Sequence, residues 1–161
     1  ASKASADHVI RSWVRTFGLQ ATISNCSNNY GPNQHSEKFI PRQISLIKTG
    51  KEPELYGSGA NIRDWIHVDD HSAGIWGVLE RGQIGETYLL GANCERSNLD
   101  VIRVINEAFG RDRESYRFIN DRPGHDLRYA IDSSKARGEL GWEPTFTDFE
   151  HHLTSLVQNW Q

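Results

Sequence analysis

The segment ATISNC, residues 21–26, running into SNNYGPNQH, residues 27–35, decides the class of fold. The first part is short and carries the β-branched Thr22 and Ile23, as a strand does. The second concentrates Asn, Gly and Pro, which is loop chemistry. Upstream, Val9, Ile10, Trp13, Val14 and Phe17 recur at helical spacing over residues 2–17, and Gly18 stands where a helix ends. Downstream, Phe39, Ile40, Ile44 and Ile47 predict a second helix that stops near Gly50. Helix, strand, polar loop and helix in succession form an α/β unit.

The alternation continues to the end of the chain. Glu54–Tyr56 reads as a short strand followed by the turn Gly57-Ser58-Gly59. Asp64–Val68 is a further strand, feeding a helix that Asp69 or Asp70 is placed to cap. Thr87–Leu90 is a strand, and Ser97 or Asn98 opens a helix through Leu99, Val101, Ile102, Val104, Ile105 and Phe109. Tyr116–Ile119 is a strand and Asp121-Arg122-Pro123-Gly124-His125-Asp126 a loop. Ser133–Leu140 is a short helix ending at Gly141, and residues from about Thr147 to Trp160 form the last one. No repeat, low-complexity tract or long linker interrupts the pattern.

With 161 residues the chain is long enough for a domain with its own core, and five Trp, six Phe and five Tyr supply bulk for it. The net charge of −3 comes without a basic block, which argues against nucleic acid or an anionic membrane surface as partner. No apolar run approaches the roughly 20 residues that span a bilayer, and no secretory leader stands at the start. Cys26 and Cys94 lie far apart in no metal-type spacing, as in two reduced thiols of a cytoplasmic protein. The chain opens at Ala1 without a Met, so it reads as cut from something longer.

Three polar segments carry the candidate chemistry. Asn25–Pro32 sits at the C-terminal end of a strand, the end that faces the ligand crevice in an open α/β sheet. Its Asn amides suit hydroxyls and carboxamides, or they bond their own backbone in turns. In RDWIHVDDH, residues 63–71, Arg63 is either a phosphate clamp or the partner of Asp64 in a surface pair. His67, Asp69, Asp70 and His71 form no closed ligand set, so no metal is expected. The loop 121–126 is stiff at Pro123, permissive at Gly124 and densely charged, as binding loops or salt-bridged turns are. His151 and His152 read as solvated helix surface. No glycine-rich dinucleotide fingerprint occurs, and Gly57-Ser58-Gly59 is a tight turn.

Taken together, NCSNNYGP, RDWIHVDDH, Asn98-Leu99-Asp100-Val101 and DRPGHD resemble the dTDP-glucose 4,6-dehydratases of the extended short-chain dehydrogenase/reductase superfamily. The likeness runs the length of the chain. Ala1–Ser5 resembles the tail of that superfamily's Y-x-x-x-K motif, with Lys3 as its lysine and the tyrosine two residues before Ala1. The resemblance implies the C-terminal part of an extended Rossmann-type fold, with a small substrate-binding subdomain. Residues 1–50 would end the NAD-binding domain, and residues 51–161 would be mainly the nucleotide-sugar region, with short segments returning to the sheet.

It also implies a reaction: NAD oxidises the sugar at C4, water leaves across C5 and C6, and the hydride returns to C6. Lys3 would bind the nicotinamide ribose and lower the tyrosine's pKa by its charge. Asn29 would approach the nicotinamide, and Asn28 the substrate. Lys38 and Phe39, with Glu54, Leu55 and Tyr56, would line the nucleotide pocket. Arg63 would meet the diphosphate with Asn98 beside it, while Asp121, Arg122, Pro123, Gly124 and His125 close over the ligand. The helix at residues 2–17 would form a homodimer interface through Val9, Trp13 and Phe17. The acid–base Asp-Glu pair and the tyrosine are not in this chain, so it is expected to be inactive and marginally folded by itself. A sister sugar-nucleotide epimerase, decarboxylase or GDP-mannose dehydratase, and a non-catalytic nucleotide-sugar-binding module, are the competing readings.

Overall fold

Alternation along one strand builds the centre of the molecule. The computed structural model describes residues 1–160. The elements, in chain order, are α1 (Ser2–Phe17), β1 (Ile23–Cys26), β2 (Asn28–Tyr30), α2 (Phe39–Lys48), β3 (Glu54–Tyr56), β4 (Ile62–His67) and α3 (Val68–Arg81), then β5 (Thr87–Leu90), β6 (Glu95–Ser97), α4 (Asn98–Ala108), β7 (Arg117–Ile119), β8 (Arg128–Tyr129), α5 (Ser134–Leu140) and α6 (Phe149–Gln158). In β4, Arg63 to His67 are all buried. Successive side chains in a strand point to opposite faces. Trp65 accordingly enters one apolar cluster, with Tyr30, Ile40, Ile44, Val101, Ile105, Phe149 and Leu153. Ile66 enters another, with Val78, Tyr88, Leu90, Leu140 and Trp142. One strand thus seats α2, α4 and α6 on one side and α3 and α5 on the other.

The strands form three small sheets, one of which contains β4. β1 pairs in parallel with β5. β4 pairs in parallel with β2 and β8 and antiparallel with β6. β3 pairs in parallel with β7. The expected α/β class is therefore present; the strand at 54–56 and the helix at residues 2–17 lie where their patterns placed them, and the strand expected at 21–26 is confined to 23–26. β2 departs from the sequence pattern, whose Asn, Gly and Pro content at residues 27–35 predicts a loop. Asn has poor strand propensity, but Asn28 and Tyr30 are registered against Trp65 and His67, and tertiary pairing overrides propensity. β6 and β8 were also not foreseen. Gly31 lets this end of β2 approach α3: a Cβ there would lie 2.6 Å from Val68 Cγ1, and its φ of 147° is one that L residues rarely adopt.

The cap of α3 is a second correction. His67, not Asp69 or Asp70, is the N-cap, and its Nδ1 accepts from Asp69 N–H at 3.3 Å. Asp70 is buried and ties the far end of the chain instead. Its carboxylate accepts from Thr145 N–H and Oγ1 and from Phe146 N–H at 2.8–2.9 Å. α4 is capped by Ser97, whose hydroxyl accepts from Asp100 N–H. His152 is likewise not simply solvated: it packs on Phe146 at 4.8 Å between ring centroids. No helix among the described residues is long and apolar enough to cross a membrane.

Phe146 also stacks on His67, 3.9 Å between centroids and 9° apart. Burial pushes the His67 pKa below its ordinary value, against the pull of Asp69 and Asp70 and with a push from His152. The unfolded chain then takes up a proton near pH 6.5 that the folded chain resists, so stability falls as pH drops through that value. Urea unfolding between about pH 7.5 and about pH 5.5 should show this loss. His67→Asn keeps an N-cap acceptor and removes the titration, so its slope over that range should be shallower. Equal slopes would contradict the assignment.

Candidate functional site

A cavity of about 360 Å³ opens between α2, β3, β4, the start of α4 and the loop at 121–126. Arg63 reaches it from β4. The side chain is 8% exposed, and its guanidinium donates to Ile62 O at 2.7 Å and Asp126 O at 2.9 Å. It forms no salt bridge among the described residues. Asp64 is buried on the opposite face of β4 and accepts from Cys94 N–H at 2.8 Å, so the two do not form a surface pair. Burial lowers the Arg63 pKa, Asp126 opposes that, and Arg122 adds to it as a second nearby cation.

Asn98 opens α4 at the same cavity, its N–H bonded to Asn61 O. A helix N-terminus adds partial positive charge there. From the loop come Arg122 and His125. The His125 side chain is 5% exposed, its Nδ1 lies 2.7 Å from Asp121 Oδ1, and its ring meets Tyr56 edge-on at 6.0 Å. The hydrogen bond with His125 holds the Asp121 carboxyl below its ordinary pKa, helped by Arg122 N–H. Two arginines, a histidine and a helix start therefore line the cavity, and Arg63 forms no salt bridge among the described residues. That arrangement suits a bound anion.

Elsewhere on the wall two aromatic rings stand among polar and charged groups. Phe39 and Trp65 lie 6.3 Å apart between centroids, tilted by 31°. The Trp65 indole N–H is buried with no partner among the described residues. Lys38 and Asn28 also line the cavity. Glu54 is gripped by Arg117 and Arg42, which hold its carboxyl below the usual range.

The structure thus brings together Asn28, Lys38, Phe39, Glu54, Tyr56, Arg63, Asn98, Arg122 and His125. Leu55 lies elsewhere: it is fully buried, because alternation turns it away from Glu54 and Tyr56. Asp121 stands behind His125, and Pro123 and Gly124 are exposed on the loop. Lys3 is exposed on α1. Asn29, on the other face of β2 from Asn28, lines a separate cavity of about 150 Å³ with Tyr30, Gly31, Gln34 and Val68. There Asn29 Oδ1 and Gln34 Oε1 are buried acceptors without partners. Glu37, Arg42, Gln43 and Trp65 line the main cavity and were missed. Signals existed for two of them. Trp65 shares a strand face with Arg63, and Gln43 interrupts the apolar stripe of Ile40, Ile44 and Ile47.

The strand arrangement is that of the C-terminal part of an extended Rossmann-type short-chain dehydrogenase/reductase. The chain belongs to the family described as GDP-mannose 4,6 dehydratase, which matches residues 1–155. Among relatives, it is 60% identical to a dTDP-glucose 4,6-dehydratase of Mycolicibacterium smegmatis, over 97% of this chain and 47% of that protein. It is 45% identical to the Escherichia coli dTDP-glucose 4,6-dehydratase, over 98% of this chain and 46% of that one. The chain spans about half the length of the curated relatives it matches. A dTDP-glucose 4,6-dehydratase of Bacillus anthracis, solved in complex with NAD, superposes with a TM-score of 0.91 at 43% identity, covering 98% of this chain and 50% of that one. A UDP-glucuronic acid 4-epimerase of Bacillus cereus, solved with UDP-glucuronic acid and NAD, gives 0.87 at 26% identity, covering 97% and 51%.

A carboxylate only accepts, so Asp121 selects the tautomer of His125 that carries hydrogen on Nδ1 and leaves Nε2 as the other ring nitrogen. Nitrogen-15 chemical shifts of the imidazole at neutral pH should report a protonated Nδ1. Asp121→Asn can present its NH2 to that nitrogen and should raise the share of the other tautomer. An Nδ1 that is unprotonated in the parent protein would contradict the geometry.

Proposed function

We propose that the whole protein of which this chain forms part converts dTDP-glucose to dTDP-4-keto-6-deoxyglucose and water, and that this chain supplies the nucleotide-sugar side of the site. The observation that carries the reading is Arg63, a buried guanidinium on a cavity wall that forms no salt bridge among the described residues. Removing an ion from water costs several kcal/mol. Two carbonyl acceptors offset part of that, at roughly 1.5–3 kcal/mol for each hydrogen bond to a charged group. A diphosphate supplies the missing anion, and Arg122, His125 and Asn98 stand beside it. Asp121 orients His125, and Pro123 and Gly124 shape the loop that closes over the ligand. Leu55 supports β3 from beneath rather than touching the ligand.

NAD is the cofactor of this reading, and when bound it supplies the hydride acceptor. The residues present fit it at one point. The unpartnered carbonyls of Asn29 and Gln34 match the two donors of a carboxamide NH2, which supports Asn29 at the nicotinamide. Lys3 is assigned to the ribose on the resemblance of residues 1–5. Residues 1–50 then belong to the NAD-binding domain and 51–161 mainly to the sugar-nucleotide region. Helix α1 has no buried residue, and Trp13 packs edge-on to an exposed Phe17. That uncovered apolar face supports a homodimer through α1. The protein is assigned to the cytoplasm, with no nucleic acid, membrane or metal as partner.

The test is turnover by the full-length protein with NAD, offered dTDP-glucose, UDP-glucuronic acid, UDP-glucose and GDP-mannose in turn. Loss of water from dTDP-glucose at a kcat/KM far above that for the others is expected. Arg63→Ala should weaken dTDP-glucose binding by roughly 2–5 kcal/mol, as for removal of one partner from a buried charged pair. Preferred turnover of GDP-mannose, or epimerisation without loss of water, would replace the reading by a sister activity. Nucleotide-sugar binding without any turnover would favour a binding module.

A further inference from the structure

Gln43 is a buried amide on the cavity wall whose two ends the fold tells apart. It lies on α2, is 2% exposed and lines the cavity. Its side-chain oxygen accepts from Glu54 N–H at 2.8 Å. A backbone N–H can only donate, so the atom facing it is the oxygen and the NH2 lies at the other end. That NH2 makes no hydrogen bond among the described residues. Its anchor is itself held, because Arg42 and Arg117 both grip the Glu54 carboxylate. The amide therefore offers a fixed donor.

Position along β3 says which part of a ligand that donor meets. Tyr56 lies against His125. Glu54 precedes it by two residues, about 6.5 Å further along the strand. The Gln43 donor thus stands away from His125, and the neighbouring cation Arg42 is engaged by the Glu54 carboxylate. Phe39 and Trp65, the flat apolar groups of the cavity, line the same wall. A flat ring with a polar edge matches this environment, and a diphosphate does not.

We propose that Gln43 selects the nucleobase, its NH2 donating to the 4-carbonyl oxygen of a thymine or uracil ring. This rests on the reading of the cavity as a nucleotide-sugar site. Cytosine carries an amino group in place of that oxygen, so donor would meet donor. Gln43 then disfavours cytidine nucleotides, beyond any contact to the diphosphate that all of them share.

Gln43→Glu is the informative variant. It keeps an oxygen for Glu54 N–H and the shape of the side chain, but replaces the NH2 with an acceptor. Calorimetry of the full-length protein at pH 8 with dTDP and with dCDP gives the ratio of the two dissociation constants. An added charge repels both nucleotides alike, so the ratio is the readout. The parent protein should favour dTDP, and the variant should narrow that preference tenfold or more. Gln43→Met, which has neither donor nor acceptor, should narrow it several-fold and carries the test if the carboxylate prevents folding. A preference unchanged in both variants overturns the assignment to Gln43 and leaves the nucleotide-sugar reading standing. A parent protein that binds dTDP no tighter than dCDP overturns both.

Discussion

The molecule is organised around a strand that has to bury charge. β4 runs through the middle of the chain's packing with Arg63 and Asp64 both inside. A buried ion is tolerated only with partners. Asp64 finds one in Cys94 N–H, which ties β4 to the segment leading into β6, while its Oδ2 is buried without a partner among the described residues. Arg63 finds two carbonyls, and one of them, Asp126 O, belongs to the loop after β7. The desolvation of these two groups therefore fixes where distant parts of the chain must lie. It also leaves a cation facing a cavity with hydrogen-bonding capacity still open.

Packing and site follow from the same alternation. Trp65 and Ile66 send one apolar cluster to each side of β4, so the helices settle in two groups. Arg63, Trp65 and His67 share the first face. Arg63 and Trp65 line the cavity, and His67 caps α3 and stacks on Phe146. Asp70, one turn into α3, then fastens the segment at Thr145 and Phe146 through three hydrogen bonds. In this way the last part of the chain is locked to the middle, and α6 covers the cluster that contains Trp65. These packed elements form much of the cavity wall, and the loop at 121–126 supplies the rest.

Much of this was legible in the sequence where a local pattern sufficed. The helix at residues 2–17, the strands at 54–56 and 87–90, and the polar segments around Asn28, Arg63 and Asp121 carry their own signals. What escaped depended on pairing at long range. β2 is made of Asn-Asn-Tyr, a poor strand by composition, and exists because β4 supplies its hydrogen-bond partners. β6 and β8 are short and polar for the same reason. Asp69 and Asp70 both suited a cap, yet His67 took it while Asp70 was drawn to partners about 75 residues away. Leu55 was grouped with Glu54 and Tyr56 as pocket lining, although period-two alternation already sets it on the other face. Gln43 was hidden in an apolar helix stripe, where a buried polar residue is itself the signal.

In the proposed site the cation on β4 and the loop at 121–126 hold a diphosphate while Phe39 and Gln43 hold a base. A crystal structure of the full-length protein with dTDP tests it most directly. The account predicts the diphosphate within hydrogen-bond distance of Arg63 and the pyrimidine ring against Phe39, with Gln43 at its edge. A dTDP bound with its diphosphate away from Arg63, or outside this cavity, would contradict it.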